Sequence, residues 1–121
     1  MIKIKSLHKR YPGMHAVKGI NLTIKSGEFF ALLGPNGAGK TSIIGMLTGL
    51  TTISEGSIEV DSHIAGSEEA KKKIGFVPQE FNMDIFETAY NVLHYNAQYF
   101  NVEKHVERVN LLLTELGLYE H

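Results

Sequence analysis

Gly34-Pro35-Asn36-Gly37-Ala38-Gly39-Lys40-Thr41 fits G-x-x-x-x-G-K-[ST] at every fixed position. Glycine lets such a loop turn tightly and bring backbone N–H groups onto phosphate oxygens with no Cβ in the way. The pattern assigns Lys40 to the β- and γ-phosphates and the Thr41 hydroxyl to Mg²⁺. The flanks suit it. Phe29-Phe30-Ala31-Leu32-Leu33 is a short apolar run that reads as a buried strand. After the loop, Ile43, Ile44, Leu47 and Leu50 fall at helical spacing. The motif therefore delivers phosphate to a helix N-terminus, where free N–H groups and the dipole favour an anion.

Composition excludes several classes. With 121 residues, 43% hydrophobic and 21% charged, the chain has enough material for one domain with a modest core. It has no cysteine, hence no disulfide framework and no thiolate metal site, which suits a reducing cytosol. No apolar run approaches the roughly 20 residues of a membrane helix. Met1-Ile2-Lys3-Ile4-Lys5 alternates and lacks the apolar core of a signal peptide. The net charge of -1 hides an asymmetry: residues 1–25 carry six basic groups and no acidic one. These read as solvent-facing lysines of edge strands, with a small attraction for nucleotide.

Taken in order, Ile2 to Leu7 is a half-buried strand whose apolar side resumes at Leu7 after Ser6. Tyr11-Pro12-Gly13 is a turn, and a second strand runs through Ala16 to Ile24. Gly49 is placed to stop the first helix, and Ser57 to Val60 is a further strand. Ser67 caps a short helix with acids in its first turn and Lys71-Lys72-Lys73 near its end. That lysine run is helix-end chemistry, so no nucleic-acid partner is expected. Ile74-Gly75-Phe76-Val77 reads as a strand ended by Pro78-Gln79. Two apolar stripes, Tyr90 to Phe100 and Val102 to Leu116, predict a helical hairpin with Asn101 as the second N-cap and Gly117 as its stop. The six histidines show no H-x-x-x-H pair and read as surface or packing residues.

Tyr11 upstream, the loop through Ser42, and Gln79 at a strand end resemble the N-terminal half of an ABC-transporter ATPase. The wording Ala31-Leu32-Leu33 and Ile74 to Gln79 is similar to the ABC-2-type exporter group. The resemblance implies an α/β P-loop NTPase core half. It has an N-terminal antiparallel β part, a core through residue 79 and the start of a helical subdomain over 80–121. It implies ATP and Mg²⁺ as cofactors. The nucleotide would be held by Tyr11 stacked on adenine, together with Val17, Gly34, Asn36, Gly37, Ala38, Gly39, Lys40, Thr41 and Ser42. Lys40 and Gln79 take catalytic roles, and Thr41 and Gln79 the metal. A peripheral place on the inner face of the cell membrane follows. The implied partners are a second ATPase subunit, head to tail, and an integral-membrane subunit touched by Phe81, Met83 and Ile85. Phe81, Ile85 and Phe86 also read as a seat for the hairpin, and both readings stay open.

The family's signature motif, its strand ending in Asp-Glu and its switch histidine do not occur in these residues. The expectation is therefore nucleotide binding without turnover by this stretch alone. Hydrolysis coupled to transport is expected of the longer subunit, and a binding or assembly module is the alternative. Unpaired strand edges are expected to make the isolated stretch associate or be marginally stable. A GTPase or small-molecule kinase is disfavoured, because no N-K-x-D guanine motif appears.

Overall fold

Alternating apolar residues build one antiparallel sheet in the computed structural model, which describes residues 1–78, 87–100 and 102–119. Strand β1 (Ile2–Tyr11) pairs with β2 (Met14–Ile24) on one side and β3 (Glu55–Val60) on the other. The two-residue β4 (His63–Ile64) completes the order β2-β1-β3-β4. Ile4 faces Leu22 on one neighbour and Ile58 on the other, so one sheet face is apolar.

A bulge changes which residues that face contains. Ser6 has φ +44°, and the register slips between Ile4 and Leu7 on the β2 side and between Lys5 and His8 on the β3 side. The Ser6 N–H, taken out of the ladder, finds Asn21 Oδ1 at 2.8 Å. The extra residue inverts the alternation. Ile2 and Ile4 point inward before it, and Leu7 and Lys9 after it. Leu7 is fully buried, as expected from the apolar side resuming there.

Helix α1 (Lys40–Thr48) closes the core of this unit. Its Ile43 and Met46 join Ile4, Leu7, Val17 and Ile58 in one buried cluster. Burying four such side chains (Leu7, Met46, Ile58, Val17) contributes about 2 kcal/mol each. Gly49 ends α1 in the left-handed region, with its N–H on the Met46 carbonyl, as the sequence predicts. Helix α2 (Glu68–Lys71) starts as expected at Ser67, whose hydroxyl accepts from the Ala70 N–H.

Two expected strands do not form. Phe29–Leu33 and Ile74–Val77 belong to no sheet, and Phe29 is 97% and Leu33 88% exposed. A strand of parallel type is held by ladder partners on its edges and covered on both faces. Among the described residues nothing pairs with either segment, so only Leu32 of the first run packs against the core.

The chain divides into two units, Met1–Val77 and Pro78–His121. The second is a helical hairpin. Helix α3 (Ala89–Tyr99) is capped by Thr88, which accepts from the Asn91 N–H at 3.2 Å. Helix α4 (His105–Glu115) buries Val109 and Leu113. It begins three residues later than the stripe from Val102 suggests. Lys104 adopts a left-handed backbone at φ +50°, which no helix interior tolerates, so Val102 and Glu103 precede the helix. Asn101, the expected cap, lies outside the described residues. Gly117 does end α4: its N–H bonds to Thr114 O, and the Leu118 N–H bonds to Leu113 O, both bonds of a Schellman stop.

Candidate functional site

The loop from Gly34 to Gly39 is built to leave donors open. Ala38 N–H turns back on Pro35 O at 3.2 Å, and the helix begins when Ile43 N–H reaches Gly39 O at 2.9 Å. The backbone N–H groups of Lys40, Thr41 and Ser42 precede that bond, so the helix supplies them no acceptor. Helices α2 and α3 close their first turns with Ser67 and Thr88, whereas α1 has glycine at its N-cap and no side-chain cap. Its N-terminus thus presents unpaired donors and the positive end of the dipole together.

Gly39 explains how the loop is held. It has φ +85°, and a Cβ there would lie 2.6 Å from Ala16 O and 3.1 Å from Val17 Cγ2. The loop therefore rests directly on the β2 backbone. Val17 itself is 1% exposed and belongs to the core cluster. It backs the loop from beneath, with its side chain in the core. Asn36, Gly37 and Ala38 lie exposed along the loop, as does Thr41 at the second helical position.

Lys40 curls over the loop. Its ammonium donates to Gly34 O at 2.6 Å and Pro35 O at 2.7 Å. The charge thus sits above the turn whose N–H groups are open, within reach of an anion bound there. Ser42, one residue further, meets Tyr11: their hydroxyl oxygens are 3.2 Å apart. The sequence-predicted residues 11, 34, 36–42 thus come together at one end of the first unit, although Tyr11 stands 31 residues from Ser42. Gln79, Phe81, Met83, Ile85 and Phe86 lie outside the described residues.

Sequence reading took Lys9 for one of the solvent-facing basic residues, and the structure corrects this by burying it. It is 6% exposed, with its ammonium 2.6 Å from Thr52 O, 3.3 Å from Thr52 Oγ1 and 4.9 Å from the centroid of the Tyr11 ring. The inverted alternation after Ser6 was the available sign, since it puts Lys9 and Tyr11 on one face. Beside it, on the other face of β1, His8 stacks on His15 at 5.2 Å and Arg10 pairs with Glu55. Arg10 holds the Glu55 carboxyl below its ordinary range, first by hydrogen bonding and then by charge. Desolvation, then the charges of Arg10, His8 and Lys18, lower His15. Among the described residues no cluster of three His, Asp or Glu side chains could hold a metal ion. No helix among them is long and apolar enough to cross a membrane.

Comparisons with known proteins agree with this arrangement. The chain is 41% identical over 102 residues to the linearmycin resistance ATP-binding protein LnrL of Bacillus subtilis, covering 82% of this chain and 33% of that protein. It is 34% identical to the lipopolysaccharide export system ATP-binding protein LptB of Escherichia coli, covering 97% of this chain and 51% of that one. Among solved structures, a dimeric post-hydrolysis state of the ATP-binding cassette MJ0796, bound to ADP and Pi, superposes with a TM-score of 0.75. Its sequence is 28% identical, covering 94% of this chain and 56% of that chain. An ATP-binding subunit of an ABC transporter reaches 0.83 at 23% identity, which speaks for the fold. The chain spans between a third and about half of the length of these relatives. The sequence model of the ABC transporter family matches residues 17–120, and with an uncapped glycine loop resting on an antiparallel sheet, this chain belongs to that family.

Proposed function

We propose that this chain is the nucleotide-binding part of an ABC ATPase subunit that couples ATP binding and hydrolysis to export across a membrane. One observation carries the reading: an uncapped α1 N-terminus with Lys40 folded over it, beside a tyrosine tied to the same helix. The residues present fit ATP. Open N–H groups of Lys40, Thr41 and Ser42 would donate to phosphate oxygens, and the Lys40 ammonium would exchange its two neutral carbonyl acceptors for them. Tyr11 would stack on the base. The exposed Thr41 hydroxyl would hold Mg²⁺, which when bound neutralises phosphate charge. Gln79 is proposed to complete the metal and water contacts. Phe81, Met83 and Ile85 are proposed to meet the membrane subunit, with a second ATPase subunit across the nucleotide. The subunit would then sit peripherally on the inner face of the membrane.

The name of LptB, part of an export system, supports the export reading, and the dimeric MJ0796 structure supports a second ATPase subunit. The test is ATP titration of the wild type and Lys40→Met, with phosphate release as a second readout. Loss of a charged hydrogen-bond donor of about 1.5–3 kcal/mol predicts roughly 10- to 100-fold weaker ATP binding. Equal affinity in the two proteins would defeat the assignment. Phosphate release separates turnover from binding alone.

A further inference from the structure

Lys9 is a buried cation whose charge the described residues do not neutralise. It is 6% exposed, and no carboxylate among the described residues lies within ion-pair distance. An ammonium carries three N–H donors. Three acceptors surround this one: the Thr52 carbonyl at 2.6 Å, the Thr52 hydroxyl at 3.3 Å, and the Tyr11 ring face at 4.9 Å. Burying an unpaired charge is costly, and neutral acceptors offset that cost only in part. A leucine would fill the same inward position, as Leu7 does one step earlier on that face.

Its placement is built by the fold at several points. The bulge at Ser6 turns Lys9 inward, and Tyr11 follows two residues later on the same face. The end of β1 is then stitched to the segment after α1. Ser54 N–H donates to His8 O at 3.1 Å, Arg10 N–H donates to Ser54 Oγ at 3.0 Å, and Lys9 takes Thr52 between them. The Tyr11 hydroxyl meets Ser42 of α1 at 3.2 Å. The ring is thus held at its tip by Ser42 and on one face by Lys9, while Tyr11 remains 38% exposed.

We infer that Lys9 is a positioning residue for Tyr11, fixing one ring face with its ammonium so that the opposite face receives a planar, electron-rich purine. The inference rests on the nucleotide-binding reading. An ammonium at one face draws on the ring quadrupole, leaving the ring a better partner for an electron-rich base on the other. It also removes the rotational freedom that an exposed tyrosine would lose on stacking.

The experiment compares ATP with inorganic tripolyphosphate, which has the phosphates and no base, binding to the full chain. The variants are Lys9→Met, Lys9→Arg, Tyr11→Leu and the double variant Lys9→Met with Tyr11→Leu. Expected is a loss of ATP affinity of about 5- to 20-fold for Lys9→Met, with tripolyphosphate affinity within about twofold of wild type. Lys9→Arg restores part of the loss, and the double variant binds ATP no worse than Tyr11→Leu. Equal losses for both ligands would show Lys9 acting on the phosphates or the loop, and overturn the inference. ATP binding by the wild type that is unchanged in Lys9→Met refutes the inference alone, whereas a wild type that does not bind ATP refutes the nucleotide reading and the inference with it. If Lys9→Met does not fold, Lys9→Gln keeps a donor for Thr52 without the charge and carries the same expectation.

Discussion

Replacing Gly39 by alanine tests how the glycine loop before α1 is supported. The new Cβ would stand 2.6 Å from Ala16 O, short of ordinary 3.4 Å contact by roughly 0.8 Å. It would also press on Val17 Cγ2 at 3.1 Å. Neither neighbour gives way easily, since one is backbone within strand β2 and the other a side chain buried in the core. The left-handed backbone at φ +85° adds about 1–2 kcal/mol for a residue with a Cβ. Overpacking of this kind costs typically about 1–3 kcal/mol. The expected total is about 3 kcal/mol. Gly37→Ala is the control: φ is +82°, but nothing lies within 4 Å of the added Cβ, so only the strain of about 1–2 kcal/mol applies. Urea denaturation followed by far-UV circular dichroism measures both, and ATP titration reads the consequence for the site. Gly39→Ala is expected to fall below Gly37→Ala by about 1–2 kcal/mol and to lose at least about tenfold in ATP affinity as the N–H groups shift. Equal stability of the two variants would refute the picture of a loop seated on β2, and wild-type affinity in Gly39→Ala would refute its link to binding.

Two further outcomes follow from the geometry. Glu55 and His15 both have folded-state pKa values below the ordinary 4.5 and 6.5, so the folded state binds fewer protons than the unfolded one in both windows. Stability is therefore expected to fall as pH drops below about 6.5, and again below about 4.5. Glu55→Gln should flatten the acid limb in a series of melts from pH 3 to pH 8, and an unchanged limb would count against the Arg10 pair. Thr88→Ala removes the α3 cap and is expected to cost about 1 kcal/mol in the hairpin. Amide exchange at Ala89 to Val92 would register the frayed turn, and unchanged protection there would discount the cap.

Much of the molecule was legible because local chemistry decides it. The loop motif, the stops at Gly49 and Gly117 and the cap at Ser67 each depend on residues within one or two turns. The return of the apolar side at Leu7 after Ser6 was legible too, but the bulge that causes it was not. Phe29–Leu33 and Ile74–Val77 were misread for the converse reason. An apolar run reports a tendency to be buried, but a strand exists only where another strand offers its hydrogen bonds. The late start of α4 depends on one left-handed residue, Lys104, which the apolar stripe from Val102 does not reveal.

The amino-acid sequence by itself determined the tight glycine loop and its turn into α1, because glycine acts through backbone freedom at neighbouring positions. It also marked Tyr11 through the resemblance to the ABC family. Only the tertiary structure decided that Val17 lies beneath the loop and that Lys9 lies under the Tyr11 ring. Those facts arise from a strand crossing behind Gly39 and from a bulge that reverses which side chains face inward, and both require distant segments to meet.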